Sequence, residues 1–318
     1  MSKYHGVIAV FFAAVLALSG CNSETVTSGA SQTELASSTT STASIASTTS
    51  TSEPGLAETD KDTSVSPTEP EQSYIDQVVR DTIAKFAEPD MGEYDKAKAA
   101  FDYLIESTSL TEPVGLDLWR IRGENDELPS FVENRSLSVL LYGIGMCEDY
   151  AAAFTMLLRG MGLEAEYVPG LTYAANGSGL VDHAWTVAKI DGVWYHLDCQ
   201  LEDNISRHDT IRYKYFMRND ATMAGSHRWG QNLIDSRLLT AAQNEEIARN
   251  FLFEPCLQDY PTPSRRTFTS APMPDVGVIK TEIEAEFREY ESVHSALEPL
   301  ELNIIPPVFG LEGFGPPD

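Results

Sequence analysis

The stretch Leu140-Leu-Tyr-Gly-Ile-Gly-Met-Cys147-Glu-Asp-Tyr150-Ala-Ala-Ala-Phe154 decides the reading of this chain. Gly143 and Gly145 let the backbone turn sharply and leave one face open to a ligand, and Tyr150, Phe154, Leu158 and Met161 then recur at helical spacing. Cys147 is therefore expected at a helix N-terminus. Unpaired amides and the helix dipole at such an end stabilise a thiolate, the reactive form, and offer donors to an oxyanion. Glu148 and Asp149 favour the first turn but oppose a thiolate if they point inward. Since cysteine is among the most buried residue types, a lone one is more often inert than reactive.

A chemical partner lies downstream in Asp182-His183-Ala-Trp185-Thr-Val-Ala-Lys-Ile-Asp191-Gly192-Val-Trp194-Tyr195-His196-Leu-Asp198. Two apolar-rich runs flank Asp191-Gly192, the signal of a two-residue hairpin turn. If Ile190 faces Val193, counting back sets Trp185 opposite Asp198 and His183 opposite Gln200. His183 and Asp198 then share one sheet face as diagonal neighbours, within reach for a carboxylate to hold an imidazole. The same parity sends Cys199 to the other face and brings His196 to the His183 face. A metal site would want more ligands at fixed spacing, so no metal is expected.

Gly-x-Gly-x-Cys147-x-x-Tyr-Ala, His183-Ala-Trp and Ile-Asp-Gly-x-Trp-Tyr-His-x-Asp198, in that order, resemble the transglutaminase-like superfamily, papain-fold enzymes with a Cys-His-Asp triad. The resemblance runs from about residue 93 to 230 and includes Phe216-Met-Arg-Asn-Asp and His227-x-Trp229 near its end. It implies an α+β fold, with a nucleophile helix packed on an antiparallel sheet. It maps the nucleophile to Cys147, the base to His183 and the orienting acid to Asp198. Two departures bear on specificity: Thr186 stands where many relatives have Asn, and Gln200-Leu201-Glu202-Asp203 replaces the Thr-Trp-Asp-Asp that often follows the acid. Trp119, Asn134 and Tyr142 are candidates by position for a second oxyanion donor. The function implied is a thiol enzyme acting on peptide or protein amides, by hydrolysis or acyl transfer, without a cofactor. The alternative is a noncatalytic binding or scaffolding module with a vestigial triad.

The chain has 318 residues, and 22 Lys and Arg against 48 Asp and Glu leave a formal net charge of -26. Such a polyanion is repelled by phosphate backbones, so nucleic acid is not an expected partner. Residues 73–318 hold 20 basic and 40 acidic residues, which favours a cationic over an anionic substrate. After Lys3 an apolar run from Val7 to Leu18 ends in Leu18-Ser19-Gly20-Cys21, which resembles a bacterial lipoprotein signal. By that resemblance residues 1–20 are a signal peptide, Cys21 carries lipid, and the protein sits on the extracytoplasmic face of the cell membrane. Residues 21–72, rich in Ser and Thr with no aromatic, are expected to be a disordered tether. Helical stripes begin with Ile75, Val78, Val79, Ile83 and Phe86, then Tyr94, Ala97, Phe101, Leu104 and Ile105. The stretch 110–135 shows no period and reads as a loop holding Trp119. The transglutaminase-like domain is expected over 73–230, with a helical extension over 231–318. Cys199 and Cys256 are either buried thiols or, in an exported protein, a disulfide.

Overall fold

The computed structural model describes residues 73–114, 129–174, 177, 179–206 and 209–294. The expected signal peptide, the expected lipidation site Cys21, the expected tether and Trp119 lie outside the described residues. No helix among the described residues is long and apolar enough to cross a membrane.

Two helices, α1 (Tyr74–Ile83) and α2 (Glu93–Ser107), follow the two apolar stripes. Their buried faces, Ile75, Val78 and Val79 on one and Ala97, Phe101, Leu104 and Ile105 on the other, enter the main core. After β1 (Ser109–Leu110) comes a helix that the sequence reading missed, α3 (Phe131–Tyr142), so the expected loop ends before residue 131. Its start is a capping box: Ser130 Oγ accepts from the Glu133 amide at 3.3 Å, and Glu133 Oε2 accepts from the Ser130 amide at 2.6 Å. No apolar period marks α3 because two of its buried residues are serines. Ser138 meets its own needs inside, donating to the Ile144 carbonyl at 2.8 Å and accepting the Val114 amide at 2.9 Å.

From α3 the chain passes through β2 (Ile144–Gly145), parallel to β1, into α4 (Cys147–Gly160). The two glycines serve close packing here, in contrast to the expected opening toward a ligand. Gly143 caps α3 at a φ of 64°, where a Cβ would stand 2.5 Å from the Ser107 carbonyl oxygen. At Gly145 a Cβ would lie 2.6 Å from that of Asp149.

The sheet is antiparallel, in the order β5-β4-β3-β7, from β3 (Glu164–Tyr173), β4 (Leu180–Ile190), β5 (Val193–Leu197) and β7 (His227–Arg228). Asp191 and Gly192 both take positive φ, as a two-residue turn matching strand twist requires, and Ile190 pairs with Val193. Helix α4 packs on β3 and β4. Thr186, one of the departures from the family pattern, is fully buried at this seam, where its hydroxyl lies 3.0 Å from Thr155 Oγ1 and 3.1 Å from the Ala151 carbonyl. The fold is therefore α+β, with the helix that begins at Cys147 packed on an antiparallel sheet.

The strand does not continue as the parity count assumed. The ladder ends at Thr186 paired with Leu197, and Cys199 opens α5 (Cys199–Ser206). His183 therefore has no cross-strand partner at Gln200, and Cys199 is buried in the main core as a helix residue. Asp198 caps this helix, its Oδ1 accepting from the Leu201 amide at 2.9 Å.

Beyond α5 come β6 (Thr210–Ile211), α6 (Asp220–Met223), α7 (Gly230–Asp235), α8 (Ala241–Asn250), β8 (Arg266–Thr267) and α9 (Val276–His294). Residues after 231 pack on what precedes them. Leu233, Leu239 and Ile247 cluster with Leu171 of β3, and Ile279 and Ile283 of α9 join the main core. The Pro-rich stretch before α9 is irregular yet pinned: Tyr260 donates its amide to the Met217 carbonyl at 3.0 Å and stacks on Tyr94.

Candidate active site

Along α4, Cys147, Ala151 and Thr155 stand one helical turn apart on one stripe. Since Ala151 and Thr155 both meet Thr186, stepping back one turn, about 5.4 Å, carries Cys147 toward the start of β4, where His183 stands. Cys147 is half-buried and is a free thiol. The acidic first turn is neutralised in place. Arg135 of α3 approaches Glu148 at 2.7 Å and Asp149 at 3.0 Å, and Asp149 Oδ2 accepts the Met146 amide at 2.7 Å. Burial raises the Asp149 pKa to about 7, against the pull of Arg135 and of the Met146 amide.

His183 and Asp198 are both buried, and His183 Nε2 lies 2.6 Å from Asp198 Oδ2. Burial works to lower the His183 pKa, but the Asp198 carboxylate and then the Cys147 sulfur outweigh it, raising the pKa to about 10. Asp198 shows the converse. Burial opposes its charge, yet His183 and then His227 hold its carboxyl well below the ordinary range. With Nε2 engaged by Asp198, Nδ1 is the ring nitrogen left to meet the Cys147 sulfur. The structure thus brings Cys147, His183 and Asp198 together. Of the candidate oxyanion donors, Asn134 lies in the first turn of α3 and Tyr142 ends that helix.

The residues after Asp198 that depart from the family pattern hold this geometry. Asp203 accepts the Tyr150 hydroxyl at 2.9 Å, tying α5 to the helix that carries Cys147. Glu202, fully buried, accepts the amides of Arg212 at 2.8 Å and Tyr215 at 2.9 Å. The Tyr215 carbonyl in turn accepts the Asp198 amide at 3.0 Å. Within this clipped loop Tyr213 and Met217 take positive φ, costly for residues with a Cβ, and both are fully buried.

Sequence reasoning missed His227 as a site residue. Its Nε2 lies 3.1 Å from the same Asp198 Oδ2, its Nδ1 is 2.8 Å from Ser226 Oγ, and its ring is fully buried. The one sequence signal was His227-x-Trp229 at the end of the family-like stretch.

Two groups of side chains among the described residues have the residue types to hold a metal. In the first, formed by His183, Asp198 and His227, both imidazoles approach one oxygen at hydrogen-bond distance. Ligands each about 2.0–2.2 Å from a shared ion stand roughly 3 Å or more apart, so the 2.6 Å contact suits a proton and not an ion. The second group is His196, Asp220 and Cys256. Trp185 Nε1, which can only donate, lies 2.9 Å from His196 Nδ1, so the His196 proton sits on Nε2 and points at Asp220 Oδ1, 2.9 Å away. That nitrogen offers no lone pair to an ion. Cys199 and Cys256 are free thiols in separate apolar clusters, so they form no disulfide.

Among curated proteins, none matches this sequence. Solved structures similar to it include a candidate cysteine protease from Cytophaga hutchinsonii, at 20% identity and TM-score 0.28, over 40% of this chain and 37% of that one. Another is an arylamine N-acetyltransferase from Bacillus cereus described with a Cys-His-Glu catalytic triad, at 17% identity and TM-score 0.29, over 42% and 51%. A third is a TGase, at 20% identity and TM-score 0.25, over 39% and 30%. The chain spans between 30% and 51% of the length of these structures. The profile of the Transglutaminase-like superfamily matches residues 80–199, from within α1 to the first residue of α5. That matched stretch holds Cys147, His183 and Asp198.

Proposed function

We propose that this protein is a thiol enzyme that opens peptide or protein amide bonds through Cys147, His183 and Asp198, held at the cell surface by lipid on Cys21. The observation that carries the reading is one buried imidazole, clamped by Asp198 at 2.6 Å and acted on by the sulfur at the start of α4. A neutral thiol is a poor nucleophile, so His183 takes its proton and the thiolate attacks the amide carbon. The first-turn amides of α4 face the oxyanion that forms. As the carbon–nitrogen bond breaks, His183 returns its proton to the leaving amine and a thioester remains on Cys147. Water then attacks the thioester, giving its proton to His183, and a carboxylic acid leaves as the thiol is restored. Asp198 fixes the tautomer of His183 and stabilises its cation throughout.

A lysine amine in place of water would make the same intermediate a crosslink. Hydrolysis is favoured, because water is abundant at a cell surface and acidic residues stabilise an approaching amine in its protonated, non-nucleophilic form. The test is to incubate the protein with casein or envelope peptides, with and without a labelled primary amine. New chain ends or deamidation that require Cys147 are the expected result. Stable amine incorporation without either would overturn hydrolysis, and the absence of both together with an unreactive Cys147 would leave a binding module.

A further inference from the structure

Asp198 Oδ2 accepts two imidazoles, His183 Nε2 at 2.6 Å and His227 Nε2 at 3.1 Å, and no charged side chain is needed to explain the second. The groups facing His227 are Asp198 at the start of α5, His183 on β4, His196 on β5 and Tyr215 of the clipped loop, with the Trp185 ring edge-on at 4.8 Å. Ser226 Oγ stands against Nδ1 at 2.8 Å. A carboxylate oxygen that already accepts from His183 demands a donor from His227, so His227 carries its proton on Nε2 and Ser226 donates to Nδ1. His227 is thus a neutral donor, fixed in one tautomer, on the acid that governs His183.

We propose that His227 is a positioning residue of the Cys147, His183 and Asp198 site: by taking up part of the charge on Asp198 Oδ2, it weakens the hold of Asp198 on the His183 cation and so eases return of the proton to the leaving amine. This rests on the triad proposed above. A buried carboxylate has no water to share its charge, and hydrogen bonds to it trade off against one another. With His227 removed, Oδ2 serves His183 alone, the imidazolium is held more tightly, and it becomes a weaker acid. His227 lies outside the stretch matched by the family profile, as does the Ser226 that sets its tautomer.

The test reads the rate at which iodoacetamide alkylates Cys147 in the full chain from pH 5 to 11, mapped by mass spectrometry. The alkaline limb of that profile reports loss of the His183 proton. His227→Leu should move the limb up by about half to one pH unit and slow amide turnover, since one hydrogen bond to the charged form is gone. Ser226→Ala, which frees the tautomer without touching the ring stack, should move it the same way by less. His227→Gln, whose amide keeps a donor, should return the limb toward its original place. Asp198→Ala should move it down. A limb that stays put or falls in both His227→Leu and Ser226→Ala, while Asp198→Ala still lowers it, overturns the role of His227 and leaves the triad standing. If Cys147 reacts no faster than Cys199 and Cys256, and Asp198→Ala changes nothing, the triad itself fails and this role with it.

Discussion

Two places among the described residues bring together a cysteine, a histidine and an aspartate, and they behave as opposites. At the first, Cys147 opens a helix, stands half-buried, and acts on the His183 ring whose far nitrogen is clamped by a buried Asp198. At the second, Cys256 lies buried in the irregular stretch after α8 and has the Asp220 carboxylate beside its sulfur. There burial and then the charge of Asp220 push the Cys256 thiol far up, so no thiolate forms near neutrality. His196 cannot take the Cys256 proton either, because Trp185 occupies Nδ1 and the Nε2 proton is committed to Asp220. Identical residue types thus form the candidate active site in one place and a structural knot in the other. What separates them is the helix end beneath the sulfur and the nitrogen that the neighbouring groups leave free.

The largest loss is expected at the cysteine of the first place. Cys147→Ala should abolish both thiol labelling and amide turnover while leaving thermal unfolding in place; labelling that persists on Cys256 would collapse the contrast. Next in size, Asp198→Ala should slow thioester formation by about 10²–10⁴-fold, since it removes tautomer control and cation stabilisation together, as stopped-flow acylation would show. Its counterpart Asp220→Ala should leave acylation within about 3-fold, the scatter expected of a change outside the reacting groups.

Tyr150→Phe tests the structural support of the first place. It removes the hydroxyl that ties α4 to Asp203, and should cost about 1 kcal/mol of stability in urea unfolding with a smaller loss of turnover. Asp149→Asn should have the smallest effect on turnover, and its effect on stability is read against pH. A carboxyl whose folded pKa is raised contributes stability that is whole below the unfolded value and is lost as pH rises through the folded one, here from 3.8 to about 7. The urea midpoint of the unaltered protein, relative to Asp149→Asn, should therefore fall between pH 4 and 7 and change little above. A flat difference across that window would mean that Asp149 is ionised throughout.

Much of the site was legible because its parts are local. Glycines before a helical stripe placed Cys147 at a helix start, and Asp191-Gly192 set the register that the β4 and β5 ladder shows. The parity count failed one residue past the end of that ladder, since a strand's alternation carries no information once the next residue caps a helix. Asp198 with the Leu201 amide was that cap. Helix α3 went unseen because Ser136 and Ser138 interrupt the apolar period of its buried face, Ser138 being satisfied by the Ile144 carbonyl and the Val114 amide.

By itself the sequence determined residue types and local elements: a cysteine at a helix start, a hairpin carrying His183, and a strongly acidic chain. Only the tertiary structure decided which groups share a proton. His227 reaches Asp198 across 29 positions and Asp203 reaches Tyr150 across 53, and no periodicity records such distances. Tautomers follow from those contacts, since a buried ring nitrogen donates or accepts according to the atom placed against it. His183 and His196 lie within one hairpin, yet Asp198 and the sulfur fall to the first, Trp185 and Asp220 to the second.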